Sequence, residues 1–481
     1  MRGIVWFRRD LRLHDNPALS AALAACDDLI PLFVFDEPLL RSHEFGSACV
    51  NFMLGCLEDL RCGLSSLGLT LQWRRGEQVE EILRAATDWK ADVVYWNRDY
   101  EARAIKRDLA AAERLALRGV AVHTFKDHVV FEGEEIRSAT GEPLQRYSAY
   151  RTRWWAKWHA EKPASMPVPP GVKNRSRVRM SPPHPVPSAS DLGYERVRPW
   201  IDPGESHASR LLREFLAGPI HHYANGRNLP AVEGTSKLSP HFRFGTLSPR
   251  HAIHTALDAL ANGRPVSRSG VLTWIDELIW REFFQQVLAA FPRVVEGPFR
   301  QTAIAPPRKR GREYDRLFQA WCEGRTGYPF VDAGMRQLNQ TGWMHNRVRM
   351  IAASFLIKDL RLAWQDGERY FMRHLLDADV AANNGNWQWC ASTGTDAMRG
   401  YRIFNPALQS KKFDPEGAYI RGYVPELAKV PDKWIHEPHL MSLDEQVRYR
   451  CRIGGDYPAA IVDHRQARQE YLDLAKQQVI R

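Results

Sequence analysis

Strand and helix signals alternate along the first 130 or so residues and then stop. Short β-rich runs stand at Ile4–Phe7, Leu29–Phe35, Leu69–Trp73, Val93–Trp96 and Val120–Phe125. Helical stretches such as Gly46–Leu67 and Glu101–Arg118 separate them. A chain that repeats strand, helix, strand has few options. Successive strands must join one parallel sheet, with helices packed on its two faces. Residues 1–130 are therefore expected to form an α/β domain around a doubly wound parallel five-stranded sheet. The loop after the first run reads Arg8-Arg9-Asp10-Leu11-Arg12, with no GxGxxG, so a nicotinamide site is disfavoured. Ligands of such sheets bind at the carboxyl ends of the strands, here near that loop or near Asn97–Glu101.

Composition then changes. Residues 131–204 are expected to be a connector. Between Glu161 and Trp200 stand nine prolines and seven Lys/Arg against three Asp/Glu, which suits an extended path rather than regular elements. From 205 to 481 helical periods dominate, as in Val271–Leu288 and Tyr328–Leu338, and an all-α domain is expected. No apolar run approaches the ~18 residues of a membrane helix. Charges follow the first strand directly, unlike a signal peptide, so a cytoplasmic location is expected. The seven cysteines form no CxxC pair, so neither a zinc site nor a disulfide framework is expected. The net charge of +11 favours a polyanionic partner, nucleic acid first.

Four stretches of the helical part carry candidate chemistry. Glu233-Gly-Thr-Ser-Lys-Leu-Ser-Pro240 offers hydroxyls, backbone N–H groups and a lysine, which can bind phosphate; the alternative is a plain helix cap. In Trp274-Ile-Asp-Glu-Leu-Ile-Trp-Arg281, helical spacing puts Glu277, Trp280 and Arg281 on one side. That stripe suits a stacked, hydrogen-bonded heterocycle, or else is a surface Glu–Arg pair. Trp343-Met-His-Asn-Arg-Val-Arg-Met350 places His345, Asn346, Arg347 and Arg349 together, for an anionic cofactor, a nucleic-acid backbone or a solvated basic face. Asp377 and Asp379 could pair with those arginines or form only a turn. They lead into Asn383-Asn-Gly-Asn-Trp-Gln-Trp389, two large rings in polar company. There is no HExxH, Walker loop or nucleophile elbow. Rings, amides and guanidiniums point to redox or photochemistry on a planar cofactor.

Together with IVWFRRDLRLHDNPAL at the N-terminus, GYPFVDAGMRQL and LLDADVAANNGNWQWCASTGTDAMRGYRIFNP, these stretches resemble the photolyase/cryptochrome family along essentially the whole chain. Asn346 and Met350, where (6-4) photolyases carry a histidine pair, and the run WQWCASTGTD resemble class I cyclobutane pyrimidine dimer photolyases. The resemblance implies an α/β antenna domain, a linker, and a helical domain that binds FAD and DNA. It implies blue-light repair of cyclobutane pyrimidine dimers. One electron passes from excited anionic reduced FAD to a flipped-out dimer, the ring opens and the electron returns. UV-damaged DNA, single- or double-stranded, is the implied partner of a monomer without membrane contact or obligate protein partner.

By the same resemblance, Tyr223, Thr235, Ser236, Lys237, Leu238 and Ser239 hold the FAD phosphates and ribityl chain. Trp274, Arg281, Asn346, Arg349, Asp377, Asp379 and Asn383 surround the flavin, with Asn383 facing its N5 and Arg349 paired with Asp377. Glu277 hydrogen-bonds the damaged bases, Trp280 and Trp389 wall the pocket, and Met350 fills against the dimer. Arg227, Arg347 and Gln409 touch DNA, with Glu277 and Arg281 beside them. Trp387 and Trp364 match the first two members of the photoreduction relay. The third position holds Gly311, so Tyr314 substitutes, another surface ring does, or photoreduction is impaired. Where folate-binding members place an Asn-Glu pair, this chain has Arg103 and Ala104, so an antenna chromophore is left open between deazaflavin, folate, flavin and none. No metal site is expected.

Overall fold

The structure is a computed structural model that describes residues 1–42, 44–167, 185–261, 266–300, 308–396 and 402–479. Pro169, Pro170, Pro182 and Pro183 of the expected connector, and residues 397–401 of the last motif, lie outside the described residues. The chain packs as two compact units. The first comprises Met1–His221, Ser236–Val295 and Leu376–Ala381; the second comprises His222–Thr235, Glu296–Leu375 and Ala382–Arg481. No helix among the described residues is long and apolar enough to cross a membrane.

In the first unit five strands form one sheet: β1 (Arg2–Phe7), β2 (Asp28–Asp36), β3 (Gln72–Gly76), β4 (Val93–Asn97) and β5 (Ala121–Phe125). Every neighbouring pair is parallel and the order is β3-β2-β1-β4-β5, the doubly wound sheet expected from the alternation. The crossover helices are α1 (Pro17–Ala25), α2 (Ser47–Ser66), α3 (Gln78–Asp88) and α4 (Ala102–Ala116). β1 is buried from Gly3 onward on alternating sides, which is why its sequence is a continuous apolar run. Ile4, Trp6, Ile30, Leu32, Val34, Val94 and Trp96 pack with Ile82, Leu83, Ala111 and Leu115 of the helices.

β3 begins later than the apolar run Leu69–Trp73 suggests. Leu69 and Leu71 are buried, but they belong to the exit from α2 after the left-handed Gly68 (φ 78°). Only from Gln72 does the chain pair with β2, at Leu32. Burial without a ladder partner reads as strand in a sequence and is not one. The expected connector also holds a regular element, α5 (Tyr147–Glu161).

At the carboxyl ends of β1 and β4 the charged loop is closed on itself. Asn16 caps α1 by accepting from Leu19 N at 3.1 Å, with Pro17 at the first helical position. Asn97 Nδ2 donates to Asn16 Oδ1 (2.8 Å) and to Asp10 Oδ2 (2.7 Å), joining the two loops. Arg8 pairs with Asp108, and Arg12 grips Asp127 through both amino groups. Burial alone would raise the Asp127 carboxyl, but Arg12 and Arg250 hold it below its usual range. Arg9 donates to Glu101 Oε1 at 2.6 Å, to Asp99 and to Asp379, so Glu101 faces an arginine of its own unit. The arginines of this loop are thus committed to internal partners.

His128 Nε2 lies 2.9 Å from Arg9 Nη2 and 2.6 Å from Arg281 Nη2. Both guanidiniums can only donate, so this nitrogen accepts and the imidazole is neutral. Burial, then Arg281 and Arg9, hold its pKa well below the ordinary value.

Two outcomes follow from this packing. Gly245 is left-handed (φ 64°), and a Cβ there would stand 1.9 Å from Arg9 O. Gly245→Ala is expected to cost about 2–4 kcal/mol in urea unfolding. The second concerns pH. The unfolded chain protonates His128 below about pH 6.5 while the folded chain does not, so its stabilising contribution is lost as pH falls. The stability advantage of wild type over His128→Gln should shrink by about 1.4 kcal/mol between roughly pH 7.5 and 5.5.

Candidate functional site

The long helix α6 (Arg268–Ala290) carries the first candidate face. Its apolar positions Val271, Ile275, Leu278, Ile279 and Phe283 are buried, and Glu277, Trp280 and Arg281 are half-buried. Gly270 passes the backbone of Ile220, where a Cβ would stand 2.0 Å from its carbonyl oxygen. Arg281 donates to His128 O (2.8 Å), to the His128 ring and to Phe242 O (3.2 Å). These bonds to the core of the unit replace the surface Glu–Arg pair that spacing alone allowed. Burial pulls the Arg281 guanidinium down to about 10, with Asp379 offsetting part of the effect.

Asp379 accepts from Arg9 and, at 3.1 Å and 3.2 Å, from Gln285 Nε2 one turn beyond Arg281. One arginine partner of Asp379 thus comes from the first βα loop. Gln285 is 1% exposed and its Oε1 is buried without a protein partner. Asp377 adds its charge beside Cys49, whose thiol is pushed up to about 11, chiefly by burial.

The phosphate candidate is not a plain cap. The helix that starts at Ser239 has Leu238 at its cap and no side-chain hydrogen bond there. Lys237 is left-handed (φ 54°), and its ammonium stands 4.8 Å from the Trp200 ring centre. Ser236 Oγ accepts from Trp274 Nε1 at 3.3 Å, joining two of the expected cofactor residues. In the second unit, a Cβ on Gly234 would meet Gly226 O at 2.6 Å. That crossing brings the strand of chain before Thr235 onto the turn that holds buried Tyr223, whose ring lies under Arg227 at 5.7 Å.

Helix α8 (Asn346–Ser354) in the second unit exposes Asn346 and half-exposes Met350, one turn apart, with Asn346 Nδ2 4.0 Å from Met350 Sδ. Arg347 donates to Asn228 Oδ1 and lies over the Phe413 ring at 4.5 Å. Arg349 Nε donates to Met344 O at 2.8 Å. Gln409 is half-buried on the helix Pro406–Phe413. His345 is 2% exposed; its Nδ1 accepts from Arg347 N, and its Nε2 is buried without a protein partner. Burial, then Arg347 and Arg349, lower it to about 3.

The polar run around the two tryptophans forms a helix, α10 (Val380–Ala391), beside α9 (Trp364–His374). Asn383 Nδ2 donates to Glu368 O at 3.0 Å, which fixes the amide and leaves Oδ1 uncommitted among the described residues. Asn384 Nδ2 donates to Glu368 Oε1 (2.9 Å), and Asn384 Oδ1 accepts from Gln388 Nε2 (2.9 Å). Gln388 Oε1 in turn accepts from Phe299 N (2.8 Å). Burial pushes the Glu368 carboxyl up to about 7. Trp387 is 2% exposed, between Phe371 (5.0 Å) and Trp321 (6.1 Å), and Trp389 is half-buried. A Cβ on Gly367 would stand 2.2 Å from Trp387 Cη2, so this glycine lets the ring lie on α9, one turn after Trp364. Tyr314, on α7 (Gly311–Cys322), donates its phenol to Asp366 and accepts from Ala363 N at 3.4 Å. It therefore sits where α9 starts with Trp364. Rings also step from Tyr314 to Phe318 (6.2 Å) and on to Trp321 (6.0 Å).

Sequence reasoning missed α5. Its Tyr147 stacks on Trp280 with ring centres 3.5 Å apart and planes at 8°. Tyr150 and Trp154 donate to buried Glu282, which also accepts from Val130 N and Phe131 N. The spacing Tyr147, Arg151, Trp155 and Tyr150, Trp154, Trp158 was the available signal for a helix inside the connector.

The donor set fits a flavin dinucleotide. The hydroxyls and lysine of the first unit are residue types that hold a phosphate and ribityl chain, and the oriented Asn383 amide of the second is one that a polar ring system can use. Comparison with known proteins agrees. Residues 3–170 match the DNA photolyase model and residues 274–477 match the FAD binding domain of DNA photolyase. A deoxyribodipyrimidine photo-lyase of Synechococcus is 38% identical over 98% of this chain and 96% of its own length. A class III photolyase of Agrobacterium tumefaciens superposes with a TM-score of 0.89 at 34% identity, covering 100% of this chain and 98% of that one. An archaeal photolyase of Sulfolobus tokodaii, described with two FAD molecules, gives 0.79 at 31% identity, covering 100% of both chains. The chain belongs to the DNA photolyase family of enzymes and carries that family's FAD-binding domain.

Proposed function

We propose that this protein is a class I enzyme that uses light to split cyclobutane pyrimidine dimers in DNA. The observation that carries the reading is the α6 face. There half-buried Trp280 is backed by a stacked ring, its indole N–H is uncommitted among the described residues, and Glu277 lies one turn away. A flat ring beside a carboxyl acceptor matches two linked pyrimidines, which offer a π-face and an N3–H. Extruding a dimer costs a few kcal/mol, least for a base that already stacks poorly.

In this reading Glu277 accepts from the damaged bases, Trp280 and Trp389 wall the pocket, and Met350 fills against the dimer beside Asn346. Arg227, Arg347 and Gln409 contact the DNA backbone. Tyr223, Thr235, Ser236, Lys237, Leu238 and Ser239 hold the phosphates and ribityl chain of FAD. Trp274, Arg281, Asn346, Arg349, Asp377, Asp379 and Asn383 surround its ring system. The chemistry that FAD supplies there, when bound in its reduced anionic form, is the light-driven loan of one electron to the dimer, returned once the ring opens. Asn383 presents a neutral carbonyl oxygen because its Nδ2 is held by Glu368 O. The protein acts as a cytoplasmic monomer, and an antenna chromophore, if bound, belongs to residues 1–130.

Trp387, Trp364 and Tyr314 form the proposed electron path from the surface. Tyr314 takes the outer position that Gly311 leaves vacant, and Asp366 accepts its phenol proton when it gives up an electron. This is supported by the bonds of Tyr314 to Asp366 and Ala363 N, at the start of the helix that begins with Trp364.

On an oligonucleotide with one thymine dimer, restoration of the two thymines should require light; equal yield in the dark, or none in light, contradicts the reading. Glu277→Ala should lower kcat/KM for repair by roughly tenfold or more with flavin content intact. Trp387→Phe should abolish photoreduction of the oxidised cofactor and spare repair by chemically reduced enzyme. Tyr314→Phe should slow photoreduction, measured by loss of visible absorbance under illumination with an external reductant.

A further inference from the structure

We propose that Tyr147, on the helix inside the connector, is a positioning residue that makes Trp280 a rigid, one-faced wall for the damaged bases. The inference rests on the reading of Trp280 given above. Three observations carry it. The two rings lie face to face, 3.5 Å between centres and 8° between planes, so Tyr147 lies against one face of the indole. Tyr147 is itself held: its hydroxyl donates to Asp276 O at 2.8 Å, and its ring meets Phe283 edge-on. The helix that carries it is fastened along α6 at two further points. Arg151 Nε and Trp155 Nε1 donate to Asp276 Oδ1 at 2.7 Å and 3.4 Å, and Tyr150 and Trp154 donate to Glu282.

The consequence is geometric. Phe283 stands edge-on to Trp280, and Phe284 is tilted against it at 5.6 Å. With these neighbours and Tyr147 in place, the indole cannot rotate about its Cβ without breaking the stack. A Trp that is half-buried would ordinarily sample more than one rotamer, and holding it costs side-chain entropy at the moment of binding. Tyr147 removes that cost beforehand, so a substrate base meets a fixed surface. The arrangement also leaves Trp280 able to offer only its uncovered side and its N–H edge, which restricts how a pair of linked bases can enter.

The test uses the full-length flavin-loaded protein in the dark. Affinities are measured for an oligonucleotide with one thymine dimer and for the same sequence undamaged, and repair is then split into KM and kcat under light. Tyr147→Leu is expected to lower the preference for damaged DNA roughly three- to tenfold, the worth of one aromatic pair, and to raise KM more than it lowers kcat. Affinity for undamaged DNA and flavin content should not change. Tyr147→Phe keeps the ring and should restore the preference to within about twofold. Tyr147→Met fills the space without a flat face and should behave as Leu does, which serves if Leu impairs folding. A preference at the wild-type value in both Leu and Met variants, or an equal loss on both DNAs, overturns the inference. Trp280→Leu is run in parallel. If it loses the preference while Tyr147→Leu and Tyr147→Met keep it, only the role of Tyr147 falls. If Trp280→Leu keeps the preference, the wall itself falls and the inference with it.

Discussion

The half-buried guanidinium of Arg9 is the constraint around which the first unit is arranged. It reaches Asp99 and Glu101 after β4, Asp379 in the stretch Leu376–Ala381, and the ring of His128. A partly desolvated charge is tolerated best with partners on several sides, and removing one partner leaves the balance among the rest disturbed. That requirement joins segments separated by 370 positions in the chain. His128 is then shared with Arg281 and Asp379 with Gln285, so the same charge that closes the first βα loop also sets the polar side of α6. The candidate cofactor residues of this unit are held by bonds that start in the N-terminal loop. The motif RRDLRLHDN is therefore better read as scaffold for the site than as a ligand loop.

Much of the fold could be read from the sequence because its signals are local. Five apolar runs separated by helical periods specify a parallel sheet, and Asn16-Pro17 specifies where α1 begins. The misreadings share a cause. Leu69 and Leu71 are apolar and buried, but whether a buried residue is in a strand depends on a partner strand far along the chain. The helix Tyr147–Glu161 is hidden because its inward residues are Tyr150, Trp154 and Trp158, and its polar contacts go to Asp276 and Glu282, more than a hundred residues on.

At the candidate site, residue types were legible and their partners were not. Asp379 pairs with Arg9, 370 positions away, because proximity in sequence says little about which arginines a fold delivers. Arg347 donates to Asn228 and lies on Phe413, partners of its own unit that no spacing in the sequence announces. Tyr314 was visible as the only tyrosine near an empty position. What the sequence could not offer was Asp366, the carboxylate that receives its hydroxyl and makes loss of its proton chemically feasible.

The two tryptophans of NNGNWQWC sit in polar company for a physical reason. Residues two apart on a helix point about 200° from each other, so Trp387 and Trp389 leave opposite sides of α10. Trp387 goes inward onto Gly367 and Phe371, while Trp389 stays half-buried. A helix with large rings on both sides has no single apolar face to dock by. Amides do the docking instead. Asn383 and Asn384 grip Glu368, Asn384 grips Gln388, and Gln388 grips the backbone at Phe299. Hydrogen bonds are directional where apolar burial is not. A ladder of amides can therefore fix the rotation of α10 about its axis, and with it the direction in which each ring leaves the helix.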